Sequence, residues 1–393
     1  MKIGIAGAGI AGLTAAALLA RDGHEVTVCD QFNAPSPVGS GLMVQPVGLR
    51  ILQQLGLDEA LIEHASPVDH IYGETYRALS VLDVRYADLR PGLQGYGTQR
   101  AHLFELLLRA AQAAGATIVP TTEVRGVFQD GAAATLETDG DPLGPFDMVL
   151  DCLGAYSPLC PKPSSPLAYG ALWALLDWPE GGPFDPHRLE QRYERASKMV
   201  GVLPVGSRAG DSTPKLTFFW SLRAQDHAAW RAIPIDTWRR DVTTLWPATV
   251  AILDQITSHD DLIFAQYTHR TLSQPGAGRV AHLGDSHHAT SPQLGQGANT
   301  AMLDAFALWA ALHETEDPVA AIRRYGALRR WHVWLYQTAS WLFTPVYQSD
   351  SRVLPWIRNR VAAPLSKTWP APRILAKLVS GELGYRPPRL KDP

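Results

Sequence analysis

Along this chain the hydrophobic positions switch between a period of two and one near 3.6, which predicts strands and helices in succession. Residues 2–6 alternate through Ile3 and Ile5 and predict a strand. Residues 11–20 are a dense Ala/Leu run with one internal glycine, which predicts a helix, and 25–29 predict a second strand. A loop holding Pro35, Pro37, Gly39 and Gly41 precedes a helix over 47–55, with Leu49, Ile51, Leu52 and Leu55 at helical spacing and Gly56 to stop it. Short strands are expected from about 69 to 92, then an amphipathic helix over 99–114 with Leu103, Leu106, Leu107 and Ala110 on one face. Strand-like segments follow at 117–120, 123–128, 132–137 and 147–150.

Four prolines (Pro158, Pro161, Pro163, Pro166) mark a boundary, beyond which apolar, aromatic runs at 167–178 and 215–222 predict a separate sheet. Nucleotide-type patterning returns with a strand at 279–283 and a helix over 297–312. The fold class is therefore α/β: a Rossmann-type domain assembled from 1–68, 99–165 and 276–326, a β-sheet substrate domain from 69–98 and 166–275 inserted into it, and a C-terminal helical segment over 327–393.

Two glycine-rich segments supply the chemistry. Gly7-Ala8-Gly9-Ile10-Ala11-Gly12 lies between the first strand and the first helix. There Gly7 permits the tight turn, Gly9 lets backbone approach a pyrophosphate, and Gly12 lets helix and strand pack closely. The phosphate then meets the unpaired N–H groups of a helix N-terminus. Asp30, followed by Gln31, ends the second strand 18 residues beyond Gly12, close to the roughly 20 expected of the acid that grips a ribose hydroxyl. The second segment is Gly284-Asp285-Ser286-His287-His288, followed by Pro292 and then Gly295-Gln296-Gly297-Ala298-Asn299 at the start of a helix. A carboxylate there suits a ribityl hydroxyl, and the helix N-terminus suits negative charge on the edge of a reduced flavin. One dinucleotide held from both ends points to FAD.

Composition narrows the class without changing it. At 46% hydrophobic and 19% charged residues the chain is globular, and a net charge of -3 gives no reason to expect nucleic acid. Three cysteines without a C-x-x-C spacing fit a reducing compartment. No signal peptide and no apolar run of about 18 residues is found, so a cytoplasmic location is expected.

These motifs resemble the class A flavoprotein monooxygenases, the FAD hydroxylases with the p-hydroxybenzoate hydroxylase fold, over roughly residues 1–330. The resemblance rests on the N-terminal fingerprint, on Arg100 in Gln99-Arg100-Ala101-His102-Leu103, on the Gly284–Asn299 block, and on Gly39-Ser40-Gly41-Leu42-Met43-Val44-Gln45-Pro46. It implies that Gly7, Gly9, Ile10, Ala11, Gly12, Asp30 and Gln31 hold the ADP half, with Val124 near the adenine. It implies Arg100 and Asp285 at the pyrophosphate–ribityl region, and Gly41, Leu42, Gly284, Pro292, Gly295, Gln296, Gly297, Ala298 and Asn299 toward the isoalloxazine. His288 matches the family's histidine after Gly-Asp, with a structural role favoured over acid–base catalysis.

One signature departs. Where the family has an apolar strand ending in Asp-Gly, this chain has Asp151-Cys152-Leu153-Gly154, so Gly154 fits and Leu153 replaces the aspartate. Strand alternation leaves Asp151 free to point the same way as Leu153. The resemblance implies hydroxylation of an aromatic, polycyclic or otherwise lipophilic substrate with O2, through a flavin C4a-hydroperoxide formed after reduction by NADPH or NADH. Leu153 puts that nicotinamide step in question. It keeps open an FAD-dependent oxidase, dehydrogenase or reductase without oxygen insertion and with another electron donor. A non-catalytic flavin-binding protein is a third reading. Candidates for a substrate base are Tyr169, Tyr267 and His269, with His288 behind them. Trp173, Phe218, Phe219 and Trp220 are expected on strands facing the flavin, as a substrate wall or as ordinary core.

The C-terminal segment is basic and aromatic. From Arg323 to Pro393 thirteen Lys/Arg stand against Asp350, Glu382 and Asp392. Trp331, Trp334, Leu335, Thr338, Trp341 and Leu342 share one helical face, which suits either a helical cap on the FAD domain or peripheral contact with a membrane.

Overall fold

The computed structural model describes residues 1–33 and 41–387; Pro35, Pro37, Gly39 and Ser40 lie outside the described residues. A six-stranded sheet runs in the order Gly276–Ala277, Val280–His282, Met148–Asp151, Lys2–Ala6, Glu25–Cys29, Thr117–Val119, and is parallel except for the first strand. Ile3 pairs with Met148 and Ala6 with Asp151, so distant segments meet in the middle of the sheet. Side-chain alternation then divides the layers. Ile3, Ile5, Met148 and Leu150 face a core built with helices Ile10–Arg21, Arg100–Ala113 and Gly297–Glu314. Ala6, Cys29 and Val149 face a three-stranded antiparallel sheet, Val124–Gln129, Ala134–Thr138 and Leu143–Phe146.

The second large sheet has seven strands in the order Ile263–His269, Ser165–Asp177, Asp211–Arg223, Lys198–Arg208, Arg188–Glu194, His70–Thr75, Ser80–Arg85. One face buries Leu172, Phe218 and Trp220 against Trp230 and Trp238 of the helices at His227–Ala232 and Ile235–Leu245. The other carries Trp173, Met199 and Phe219 against Tyr347 and Ala363, and Leu203 and Val205 against Met43 and Val68. The expectation that Trp173, Phe218, Phe219 and Trp220 share a flavin-facing wall is corrected accordingly. The strand pleat sends Phe218 and Trp220 into the helical layer and Trp173 and Phe219 to the opposite face.

A small sheet of Gly41–Val44, Gly95–Gln99 and Ser66–Val68 links the two. Gly41 lies against Thr217 and Val205 of the large sheet, with no room for a side chain. The C-terminal segment starts earlier than expected. Helix Pro318–Tyr347 runs unbroken through 326/327, capped by Asp317, whose carboxylate accepts from the Val319 and Ala320 N–H groups at 3.2 Å. That helix buries Tyr325, Arg329, His332 and Tyr336 inward, and a third of its residues belong to the core.

Candidate functional site

The first glycine turn has the geometry its spacing predicts. Gly7 adopts φ +101°, and a Cβ there would lie 2.6 Å from the Cys152 carbonyl oxygen. A Cβ on Gly12 would collide with the Gly7 carbonyl, so helix and strand pack only because position 12 is bare. A Cβ on Gly9 would meet nothing within 4 Å among the described residues. Ile10 and Ala11 are buried in the first turn of the helix behind it, and no side chain of the described residues caps that helix end. Its N–H groups are therefore free, among the described residues, to meet an anion. Asp30 accepts from the Ala8 N–H at 2.7 Å and the Phe32 N–H at 3.2 Å, which fixes its carboxylate at the tip of the second strand beside this turn. Gln31 is exposed next to it, and Val124 is buried below, in a cluster with Cys29.

Strand Val280–His282 delivers Gly284 and Asp285 to the same edge of the sheet. Asp285 has exposed surface although protein atoms enclose it, as a side chain does at the floor of a cleft. The enclosure raises its carboxyl above the usual range, and His288, Arg100 and Arg270 oppose the rise. Residues 100 and 285 are thus brought to one cleft. Arg100 is exposed and makes no ion pair among the described residues. Gly154 and Gly297 also border space, since a Cβ on either would meet nothing within 4 Å.

Space at Gly9, Gly154 and Gly297, an acid beside each glycine motif and an arginine near Asp285 fit an elongated pyrophosphate with hydroxyl-bearing arms, which is FAD. Gly9 and the helix N-terminus behind it would hold the pyrophosphate, Asp30 the adenosine ribose, and Arg100 and Asp285 the pyrophosphate–ribityl stretch. Bound there, FAD supplies redox and oxygen chemistry; the protein supplies position, charge and exclusion of water.

Some anticipated residues act differently. The Asn299 amide donates to the Met43 carbonyl at 3.0 Å and the Gly295 carbonyl at 3.1 Å, and its oxygen accepts from the Gln45 N–H at 2.8 Å. Fully buried, it staples the strand containing Leu42 to the loop after Pro292. Gln296 turns away from the cleft, donating to the Val379 carbonyl at 2.6 Å. Their side chains position the loop, and only backbone at 295–298 is left for a ring system.

The Asp-Gly departure is not repaired by Asp151. That carboxylate is fully buried, accepts from Ser157 Oγ and His282 Nδ1–H, each at 2.7 Å, and lies 3.5 Å from Cys160 Sγ. It pins the loop under the sheet edge, while Leu153 joins the cluster around Val124.

Of the base candidates, Tyr169 and His288 already have acidic partners. Tyr169 donates to Asp350 at 2.6 Å beside Arg223, and burial raises its pKa. Burial likewise holds Tyr267 protonated far above neutrality. His269 is lowered by burial and by Lys162. His288 donates from Nε2 to Asp304 at 2.6 Å, in the structural role favoured for it. Asp304 also accepts from the Gly284 N–H at 2.8 Å and from Arg329 Nε at 2.6 Å. Burial alone would raise the Asp304 carboxyl; His288 and Arg329 outweigh it and hold the group well below its ordinary range. This network fixes Gly284, and the sequence reading missed it.

Arg270 was missed as well. Its buried guanidinium donates to the Lys162, Gly154 and Asp285 carbonyls at 3.1, 3.1 and 3.0 Å, tying the two halves of the cleft wall together. The available signal was a lone arginine in a β-run and, for Asp304, a lone acid inside an Ala/Leu helix.

A cleft fit for one dinucleotide beside a large second sheet, together with relatives that match most of the chain, makes this an FAD-dependent monooxygenase. Residues 1–141 and 185–339 match the FAD binding domain family, and the chain belongs to it. It is 27% identical over 355 residues to an FAD-dependent urate hydroxylase of Klebsiella pneumoniae, covering 84% of this chain and 86% of that one. A probable 2-heptyl-3-hydroxy-4(1H)-quinolone synthase of Rhodococcus erythropolis is 25% identical over 374 residues, covering 92% and 90%. Among solved structures, Klebsiella pneumoniae HpxO complexed with FAD and uric acid superposes with a TM-score of 0.80 at 22% identity, over 98% of this chain and 97% of that one. The p-hydroxybenzoate hydroxylase-like fold expected from the motifs is the fold observed.

Proposed function

We propose that this monooxygenase takes O2 and electrons from NADPH or NADH and hydroxylates a flat, lipophilic aromatic substrate. The observation that carries this reading is the face of the seven-stranded sheet against which the flavin-side strand packs. Gly41 meets Thr217 and Val205 there, Met43 meets Leu203 and Val205, and Trp173 and Phe219 continue the same side. These positions form a buried apolar and aromatic layer behind the flavin-side strand, with one hydroxyl, Thr217 Oγ1, that has no partner among the described residues. A substrate bound beside such a layer meets low polarity, which favours a ring and penalises an uncompensated carboxylate. The relatives named for urate and for an alkylated quinolone act on planar heteroaromatic rings, which supports the class. Lipophilic substrates partition into bilayers, so peripheral contact with a membrane through the C-terminal segment belongs to the same reading.

The residues named here bind and orient. Arg100 and Asp285 would fix the cofactor, Arg270 and Asn299 would hold the loops that exclude water, and the Asp304 network would hold Gly284. With Tyr169 and Tyr267 protonated, substrate activation falls to the ring's own hydroxyl or amine.

Anaerobic mixing with NADH and with NADPH tests the donor. Admission of isotopically labelled dioxygen with planar aromatic substrates then tests insertion. Fast bleaching of the flavin followed by label in the product is expected. Leu153 in place of the family's aspartate favours a second reading, an enzyme reduced by another donor; no bleaching with either nicotinamide, but bleaching with a reduced flavodoxin-type or chemical donor, supports it.

A further inference from the structure

We propose that the outward face of the C-terminal helices is a docking surface for an anionic phospholipid bilayer. This deepens the peripheral contact proposed above, yet it is read without turnover, so its failure and that of the hydroxylase reading are separable.

Within the helical stretch from Val353 to Ser366, Val353, Ile357, Val361 and Leu365 recur at every fourth position and are 63%, 40%, 43% and 58% exposed. Trp356 on the adjoining ridge is 61% exposed, and Trp369 just beyond is 87% exposed. The preceding helix presents Trp334, Trp341 and Leu342, each more than half exposed. Scattered exposed leucines need no explanation, but a periodic row of large apolar side chains with interleaved tryptophans is surface made to be covered.

Charge selects the partner. Of the eleven Lys/Arg from 323 to 386, Arg329 and Arg358 are buried and Arg324 pairs with Glu314, which leaves eight exposed and without an ion pair among the described residues. The acids of the same stretch are spent: Asp350 on Arg223 and Tyr169, Glu382 on Arg50 and Arg90. Arg352, Arg360 and Lys367 flank the apolar row itself. Unopposed cations around a tryptophan-rich helical ridge match the headgroups and acyl boundary of a bilayer with net negative charge. A surface groove of about 960 Å³ between Trp331, Trp334, Arg330 and Arg386 offers further room for headgroups. The inner side of these helices already braces the loop after Pro292, through Gln296 and Val379, so a docked face would sit close to the cofactor cleft.

Flotation of the FAD-loaded full chain with vesicles tests this. Binding to phosphatidylcholine vesicles with about a third phosphatidylglycerol, none to phosphatidylcholine alone, and release in about 1 M salt are expected. The variant Arg352→Gln/Arg360→Gln/Lys367→Gln should bind on the order of a hundredfold more weakly, at roughly fivefold per cation, while keeping its FAD. If that variant loses FAD, Trp356→Ala/Trp369→Ala, which alters only outermost side chains, takes its place with the same expected loss. No binding of the wild type to anionic vesicles, equal binding to neutral ones, or binding unchanged in both variants overturns the proposal. So does self-association through this face, seen as a dimer that Trp356→Glu disperses.

Discussion

Asp304→Asn removes one buried charge and almost no volume, and it isolates the network behind the second glycine motif. Asp304 and Arg329 are both essentially inaccessible, 2.6 Å apart, and the same carboxylate accepts from His288 and from the Gly284 N–H. Breaking a buried pair from one side leaves an uncompensated cation and costs about 3–5 kcal/mol. An unfolding entropy of about 2.1 cal/mol/K per residue gives roughly 0.8 kcal/mol/K for a chain of this length, so Tm should fall by about 4–6 °C. Circular dichroism on the apoprotein reads this directly, and flavin fluorescence on dilution should show weaker FAD retention because the single oxygen of an asparagine cannot serve Gly284, His288 and Arg329 together. Asp304→Asn/Arg329→Met removes the stranded charge and should recover at least about 2 kcal/mol of the loss. A shift under about 1 °C in the single variant, or strict additivity in the double, would refute the reasoning.

Burial lowers His287 and His332 from the ordinary 6.5 to about 3. The tautomer at His332 is fixed: Nε2–H donates to the Gly381 carbonyl at 2.9 Å and Nδ1 accepts from Arg329 at 2.9 Å, leaving no site for a second proton. The unfolded chain takes up a proton that the folded chain refuses, so this stability is intact above pH 6.5 and is lost as pH falls toward 3. The slope is about 1.4 kcal/mol per pH unit for each histidine, and pH-dependent chemical denaturation should show it flattened in His332→Gln. Asn299→Ala strips three buried hydrogen bonds that join the flavin-side strand to the loop after Pro292; a loss of about 2–4 kcal/mol and faster FAD release in stopped-flow are expected. Arg270→Met frees three carbonyls across the cleft wall and should raise the Kd for FAD about tenfold or more in calorimetric titration, with far-ultraviolet dichroism unchanged. Gly9→Glu should abolish FAD uptake while the chain still folds, since its side chain enters open space.

The cofactor cradle was legible because glycines punctuate sequence where backbone must approach something. Gly7 and Gly12 stand where a side chain would collide, and Gly9 borders open space among the described residues. The parallel sheet followed from apolar runs between helix-forming stretches. What escaped was polar and buried. Strand Arg188–Glu194 alternates charged residues, yet the Arg192 side chain is only 14% exposed, between Glu74 at 2.9 Å and Glu190 at 3.6 Å. Arg329 belongs to a helix rich in basic residues, yet it points inward to Asp304, with His332 bridging it to the Gly381 carbonyl. Pairing decides such burials, and pairing partners on distant elements leave no periodic trace. The four aromatic residues stayed open between substrate wall and core for a related reason: adjacent positions on one strand face opposite ways, and the period-two pattern does not say which side the flavin takes.

Titration of the purified apoprotein with FAD, followed by visible absorbance and calorimetry, examines the convergence of residues 7–12 and 284–299 most directly. Saturation at one FAD per chain, with affinity lost in both Gly9→Glu and Asp285→Ala, is the predicted result. A colourless protein that takes up no flavin, or full affinity in either variant, would contradict it.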